Sequence, residues 1–320
     1  FEAVTVMYSM PLATEVDPTP IMAPFYFLFF GLMLSDAAYG IILSLACFAL
    51  LKKFKLEGTM KKMVTMFFWC GISTFFWGAL FGGWFGDAVA VFSKTFLGRE
   101  IVINPIWIDP LQEPMTLLIF SLILGAIHMF VGMGMQAYML IKNGKALDAL
   151  FDVGLWYMLL IGLVLFGVGS MITPALSSVG KWMALIGAVG IVVTGGRNKK
   201  GFGKITGGFG SLYGITNYLS DVLSYSRLLA LGLATGVVAK VVNILGSLAG
   251  SGVVGIIVFI AVFLFGTVFN LAINALGAYV HSCRLQYVEF FGKFYTGGGK
   301  PFEPFVGKTK FVKIVNKEDK

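Results

Sequence analysis

Apolar residues fill this chain in runs too long for a soluble helix, separated by short polar connections. Seven runs reach or approach membrane-spanning length: 24–51, 61–82, 115–141, 149–171, 179–195, 208–249 and 252–293. A hydrocarbon core of about 30 Å takes about 20 helical residues, so each run reads as a helix. The expected fold is all-α, a polytopic membrane helical bundle. The last two runs, at roughly 40 residues or about 60 Å of helix, exceed the core and must tilt steeply, curve or project. Gly250, Ser251 and Gly252 mark the turn between them, which makes them an antiparallel pair. The first run contains LSDAAYG (34–40), where Ser35, Asp36 and Gly40 can bend the chain. Residues 24–51 are therefore either a re-entrant hairpin bent at Asp36 or one long helix with a buried Asp36.

The polar positions inside the last two runs are not scattered. Tyr213, Asn217, Ser220, Ser224, Arg227, Leu231 and Thr235 follow one another in helical steps of three or four. At about 100° per residue they share one sector of the helix. Asn270, Asn274, Gly277, His281 and Arg284 repeat the construction on the next helix. An arginine at the centre of a membrane helix costs on the order of 2.5–3.5 kcal/mol on insertion scales and needs a partner or a wet cavity. Within its own helix each arginine is badly served. Asp221 lies on a different side from Arg227, and Glu289 stands five residues beyond Arg284. The expected partner is a carboxylate on another chain.

Charge orients the bundle. The connections 52–62, 142–148 and 197–204 and the C-terminal tail are rich in lysine, whereas 83–114, 172–178 and 250–254 carry few cations. By the positive-inside rule the first set is cytoplasmic, as is the C-terminus. The expected organisation is a cytoplasmic linker over 1–23 leading from a soluble N-terminal domain, membrane helices over 24–207, the paired long helices over 208–293 and a cytoplasmic tail over 294–320. The chain begins with Phe1, which reads as a piece of a longer protein. Composition agrees with a membrane setting, at 58% hydrophobic and 12% charged. The net charge of +8 falls in connections and the tail rather than on a basic, aromatic-interleaved face, which argues against nucleic acid. Cys47, Cys70 and Cys283 lie in apolar stretches and read as buried small hydrophobes, and no metal site is expected. His128 reads as a core histidine and Asp87 as a solvated loop residue. GRNKKGFGKIT (196–206) departs from a phosphate-binding loop because Ile205 follows the lysine, and no hydrolase or kinase signature occurs.

PFYFLFFGLMLSDAAYG, SDVLSYSRLLALGLAT and HSCRLQYVEFFGKFYTGGGKPFEPF resemble the membrane domain of the rotary V-type ATPase a-subunit, called subunit I in bacteria, most of all the versions of Gram-positive bacteria. The resemblance implies a non-catalytic stator in the bacterial plasma membrane. A soluble arm would join peripheral stalk subunits, and the two long helices would face a rotor ring of c-subunits. It further implies that Arg227 meets each ring carboxylate, with Arg284 as the second arginine and Asn217 in the cytoplasmic half-channel. His281 also has a counterpart. Tyr213, Ser220, Ser224, Thr235, Asn270 and Asn274 would line the half-channels. No cofactor is implied; the cargo is Na⁺ or H⁺. Thr235 and Asn274 stand where proton-pumping relatives commonly carry histidine and glutamate, which tilts the expectation toward Na⁺. The alternatives are a secondary transporter holding an anionic substrate at Arg227 and Arg284, which should show internal repeats, and a plain membrane anchor, which leaves the stripes unexplained.

Overall fold

The computed structural model describes residues 1–12, 15–99, 101–197, 203–250 and 252–300. Among them the regular structure is helical. A short α1 (Glu2–Tyr8) precedes α2 (Thr19–Leu34), α3 (Ala37–Lys53), α4 (Gly58–Phe81) and α5 (Ala88–Leu97). After a loop come α6 (Pro114–Lys142), α7 (Ala146–Ala149), a π-helical stretch Leu150–Gly154, α8 (Leu155–Ile172) and α9 (Pro174–Thr194). The last third holds α10 (Gly203–Tyr213), α11 (Ile215–Ser224), α12 (Ser226–Ser247) and α13 (Val253–Arg284). A second π-helical stretch, Leu285–Phe291, leads to α14 (Gly292–Phe294). Six helical stretches among the described residues are long and apolar enough to cross a membrane: Gly58–Phe81, Pro114–Lys142, Ala146–Ser170, Pro174–Thr194, Gly210–Ser247 and Val253–Phe294. The chain is a helical membrane bundle.

The first apolar run is two helices. Ser35 closes α2 in the left-handed region (φ 37°), and Asp36 opens α3 in an extended conformation. The Asp36 carboxylate caps α3 by accepting from the Ala38 and Tyr39 amides at 3.0 and 3.2 Å. The same carboxylate accepts from the Phe85 and Gly86 amides at 3.1 and 2.9 Å, tying the bend to the loop after α4. Capping and turn geometry thus give a buried carboxylate four donors. Both helices run along α4 in opposite senses. Phe30 meets Phe67, and Leu32 meets Trp77 and Phe81. In the other direction Ala37 lies beside Gly78 and Ser44 beside Phe68. The start of α2 and the end of α3 consequently lie at the same end of the bundle.

Tyr26, Phe29, Phe30 and Met33 of α2 are fully buried with Met66 and Cys70 of α4, Tyr225 and Leu228, and Leu285, Phe290 and Phe291. α2 is therefore the axis on which α4, α12 and α13 pack. The last pair is antiparallel: Gly246 faces Phe259, Val242 faces Gly266 and Leu231 faces Gly277, small residues letting the backbones approach. α8 and α9 form a second antiparallel pair on the same principle, with Gly162 against Ala184 and Gly187 against Leu159. Run 208–249, expected to be one helix, holds a continuous helical stretch over Gly210–Ser247, with single-residue turns at Gly214 and Tyr225 whose backbones stay in the right-handed helical region. At Tyr225 the bonding tightens to three-residue hydrogen bonds, from Tyr225 to Val222 and from Leu228 to Tyr225.

Candidate functional site

Arg227 is the second residue of α12, directly after the turn at Tyr225. The turn is held from outside. The Tyr225 ring is fully buried, and its hydroxyl is 2.7 Å from Nδ1 of His128 on α6. The ring fits because residue 125 is glycine: a Cβ there would sit 2.3 Å from Cγ of Tyr225. Arg227 leaves this junction with 27% of its side chain exposed, and its Nη1 is 3.8 Å from Oε1 of Glu289, whose side chain is 3% exposed. Ser224 donates to the same carboxylate oxygen. The Arg227 Nη1 and the other Glu289 oxygen have no hydrogen-bond partner in the protein.

Glu289 lies in the π-helical stretch that follows Arg284, on the same buried face as Ala278 and Ser282. Gln286 and Glu289 point inward there, at 0% and 2% exposed, while Val288 points out. This corrects the expectation of an arginine with no acidic neighbour in its own chain. Glu289 was weighed only along its own helix. Asp221, rejected as a partner for Arg227, pairs with Lys293, whose ammonium lies 4.2 Å from the centre of the Tyr218 ring.

Along the polar stripe, Tyr213 belongs to α10, Asn217, Ser220 and Ser224 to α11, and Arg227 and Thr235 to α12, with single-residue turns at Gly214 and Tyr225 between them. Tyr213, Asn217 and Ser220 are exposed and Ser224 is half-buried, whereas Thr235 is buried against α2. Its hydroxyl donates to the Leu231 carbonyl at 3.0 Å, with the Met33 carbonyl at 3.4 Å. On α13, Asn270 and Asn274 are buried, His281 is half-buried and Arg284 is exposed at the helix end. Asn270 donates to the Tyr39 hydroxyl at 2.9 Å and the Thr235 carbonyl at 3.3 Å, and Asn274 donates to the Asn270 carbonyl at 3.0 Å. Tyr39, Thr235, Asn270 and Asn274 therefore form one hydrogen-bonded cluster, of which sequence reading missed Tyr39 because it sits two hundred residues away.

A cavity of about 230 Å³ is lined among others by Ser35, Asp36, Asp87, Asp109, Gly236 and Lys240. Asp87 was expected to be a solvated loop residue; it is half-buried and accepts from Nδ2 of Asn243 at 2.9 Å. The structure thus places an exposed polar flank on α11 before the arginine junction and a buried amide cluster after it, with Gly232, Gly236 and Lys240 of α12 on the wall of the cavity.

Comparison with known proteins converges on the same region. The profile of the V-type ATPase 116kDa subunit family matches residues 215–306, which include Arg227, Glu289 and the amide cluster's Thr235, Asn270 and Asn274. The A-type ATP synthase subunit I of Methanocaldococcus jannaschii is 36% identical over 338 residues, covering 98% of this chain and 48% of that protein. The subunit I of Thermococcus kodakarensis is 38% identical over 324 residues, covering 98% and 47%. The chain belongs to the V-type ATPase 116kDa subunit family. A more distant relative, the V-type ATP synthase subunit I of Borreliella burgdorferi, is 27% identical over 304 residues, covering 89% of this chain and 48% of that one. The chain spans about half the length of the family members it matches.

Proposed function

We propose that this chain is the non-catalytic ion-channel part of a rotary ATPase stator, in which Arg227 meets the carboxylates of a rotating c-subunit ring. The observation that carries the reading is the loose pairing of Arg227: a guanidinium at the flank of the bundle, 3.8 Å from its own counter-ion and with that nitrogen otherwise unsatisfied. At an effective dielectric of about 20, two unit charges at that distance attract by about 4 kcal/mol, and a carboxylate at a charge-assisted contact of about 2.8 Å by about 6 kcal/mol. A ring carboxylate arriving on the exposed side would outcompete Glu289, and once that carboxylate binds its cation and its charge is neutralised, Glu289 would take the arginine back. The guanidinium stays charged throughout because its pKa exceeds about 12. Standing between two aqueous paths, it also repels any cation attempting to cross directly.

The two paths follow from the features flanking the arginine. Tyr213, Asn217, Ser220 and Ser224 offer an approach from the lysine-rich end, which the positive-inside rule makes cytoplasmic. The amide cluster offers the approach from the opposite side, while His281 and Arg284, beyond Gly277 on the antiparallel α13, stand near the level of Arg227. Thr235, Asn270 and Asn274 are neutral oxygen-bearing groups. They suit hydration of Na⁺ and pass protons only through water, which favours Na⁺ as cargo. Upstream sequence would carry the connection to peripheral stalk subunits.

The test is ATP-driven uptake of radioactive sodium by proteoliposomes holding the intact complex. Arg227→Ala abolishes uptake, Arg227→Lys fails to restore it because lysine lacks the planar fork, and Thr235→Val or Asn274→Leu weakens it. Wild-type uptake with Arg227→Ala refutes the mechanism. Sodium uptake that vanishes when a protonophore collapses the proton gradient refutes the choice of ion.

A further inference from the structure

Behind Arg227, on the side away from its exposed flank, lies a group of buried polar atoms that the arginine reading does not use. His128 is 0% exposed, its ring stacked on Phe290 at 4.5 Å and flanked by Phe25 at 4.4 Å and Phe29 at 5.1 Å. Its Nδ1 is taken by Tyr225, but its Nε2 has no partner in the protein. The Gln286 side chain, also 0% exposed, lies within reach of the imidazole, but neither its Nε2 nor its Oε1 meets a partner at full hydrogen-bond distance and angle. One π-helical turn on, Oε2 of Glu289 is likewise unpartnered. Four polar atoms on three fully or almost fully buried side chains share one region, enclosed by Phe25, Phe29 and Phe290. Buried groups of this kind are almost always hydrogen-bonded, to protein or to ordered water.

We propose that His128, Gln286 and Glu289 enclose a site for one or two bound water molecules. Water fits the chemistry of the lining because it both donates and accepts, and a buried water typically makes about three hydrogen bonds. Gln286 supplies a donor and an acceptor, the Glu289 carboxylate accepts, and His128 Nε2 takes whichever role the tautomer leaves. A cation is disfavoured by the neighbouring guanidinium, and an anion by the carboxylate. The consequence for transport rests on the arginine reading above. When Arg227 turns to a ring carboxylate, Glu289 would be left buried with Ser224 as its one donor; water held by Gln286 and His128 adds further donors and lowers the cost of that step.

Radiolytic hydroxyl footprinting of the intact complex tests the site without requiring transport, because radicals formed from bound water oxidise adjacent side chains that bulk solvent never reaches. Tyr225 and Tyr26 are both 0% exposed, and Tyr26 points its hydroxyl at the Tyr279 carbonyl and Cys283 instead. The expected result is oxidation of Tyr225 several-fold faster than of Tyr26, falling to the Tyr26 rate in Gln286→Met. Equal, slow oxidation of both tyrosines in the native complex would overturn the proposal, since Gln286 would then bond His128 and Glu289 directly in a dry network. So would fast oxidation that persists in Gln286→Met. The native comparison decides alone if the variant does not assemble. Fast oxidation of Tyr225 combined with wild-type transport by Arg227→Ala would leave the water site standing and remove its link to the arginine.

Discussion

Gly125→Ala is the smallest change that should disable the site without touching a charged group. The added Cβ would stand 2.3 Å from Cγ, 2.4 Å from Cδ2 and 2.8 Å from Cβ of Tyr225. Carbon atoms in good contact sit about 3.5–4.0 Å apart, so α6 or the Tyr225 ring must give way by roughly 1 Å. The ring cannot simply rotate, because its hydroxyl is fixed on His128 and Phe29 lies against it at 5.6 Å. Overpacking of this kind costs about 1–3 kcal/mol of stability. The displaced element is the junction carrying Arg227 two residues on, and a misplacement of about 1 Å at a reacting group can cost on the order of 10²-fold in rate. Coupled cation uptake in proteoliposomes, measured beside thermal stability of the complex, should fall far more steeply than stability does. Gly167→Ala is the control, for nothing lies within 4 Å of a Cβ at that position. A Gly125→Ala complex that transports and melts like the parent would refute the claim that this packing sets the arginine.

Asp36→Ala strips the acceptor from four amides at the bend between α2 and α3, and each donor left buried costs about 1–3 kcal/mol, so the complex should lose much of its thermal stability. Single cysteines at positions 24 and 52 should react with an impermeant reagent from the same side of the membrane, and labelling from opposite sides would exclude the hairpin. At the base of α13, burial pushes the Glu15 carboxyl up, but hydrogen bonds from Thr296, Leu12 and Gly297 outweigh it and hold the group below its ordinary value. A depressed carboxyl stabilises above its unfolded pKa of about 4.3 and loses that contribution as pH falls through the folded value. Amide protection at Thr296 and Gly297, corrected for intrinsic exchange, should thus decline on acidification below about pH 4.5, and Glu15→Gln should lower protection at pH 7 and remove its dependence on pH.

What the residues disclosed in advance was chiefly the membrane-length helices and the antiparallel pairing of α12 with α13, because apolar length needs no tertiary knowledge; Ser251, expected in the turn between them, lies outside the described residues. Helical phase was the weaker guide. It assigned Arg227 and Thr235 to one sector with Tyr213 but could not say that Tyr213 is exposed while Thr235 is buried against α2. Neither Tyr225 nor the stretch Leu285–Phe291 carries a proline to announce an irregularity, and both lie in runs of ordinary apolar composition. The Arg227–Glu289 pair was hidden because it joins two different helices, and spacing along one helix sets Glu289 only against Arg284. His128 and Asp87 were hidden by distance along the chain. Their partners, Tyr225 and Asn243, lie 97 and 156 residues away.

The departures from regular helix gather along the face that α2, α6 and the loop after α4 present to the last helix pair. In apolar surroundings an interrupted helix survives only where its freed backbone groups find other partners. At Ser35 and Asp36 one carboxylate takes four amides. At Tyr225 shorter hydrogen bonds keep the amides paired, and a tyrosine–histidine contact holds the ring. After Arg284 the helix changes its own bonding pattern and loses no partner. A polar side chain stands at or beside each of these places: Asp36 at the cavity, Arg227 at the flank and Glu289 buried behind it. A straight pair of helices of the same composition would cross a membrane as well and would hold an arginine on its surface. The fold adds the buried carboxylate at arm's length that makes the arginine's pairing exchangeable, and exchange is what the proposed transport cycle requires.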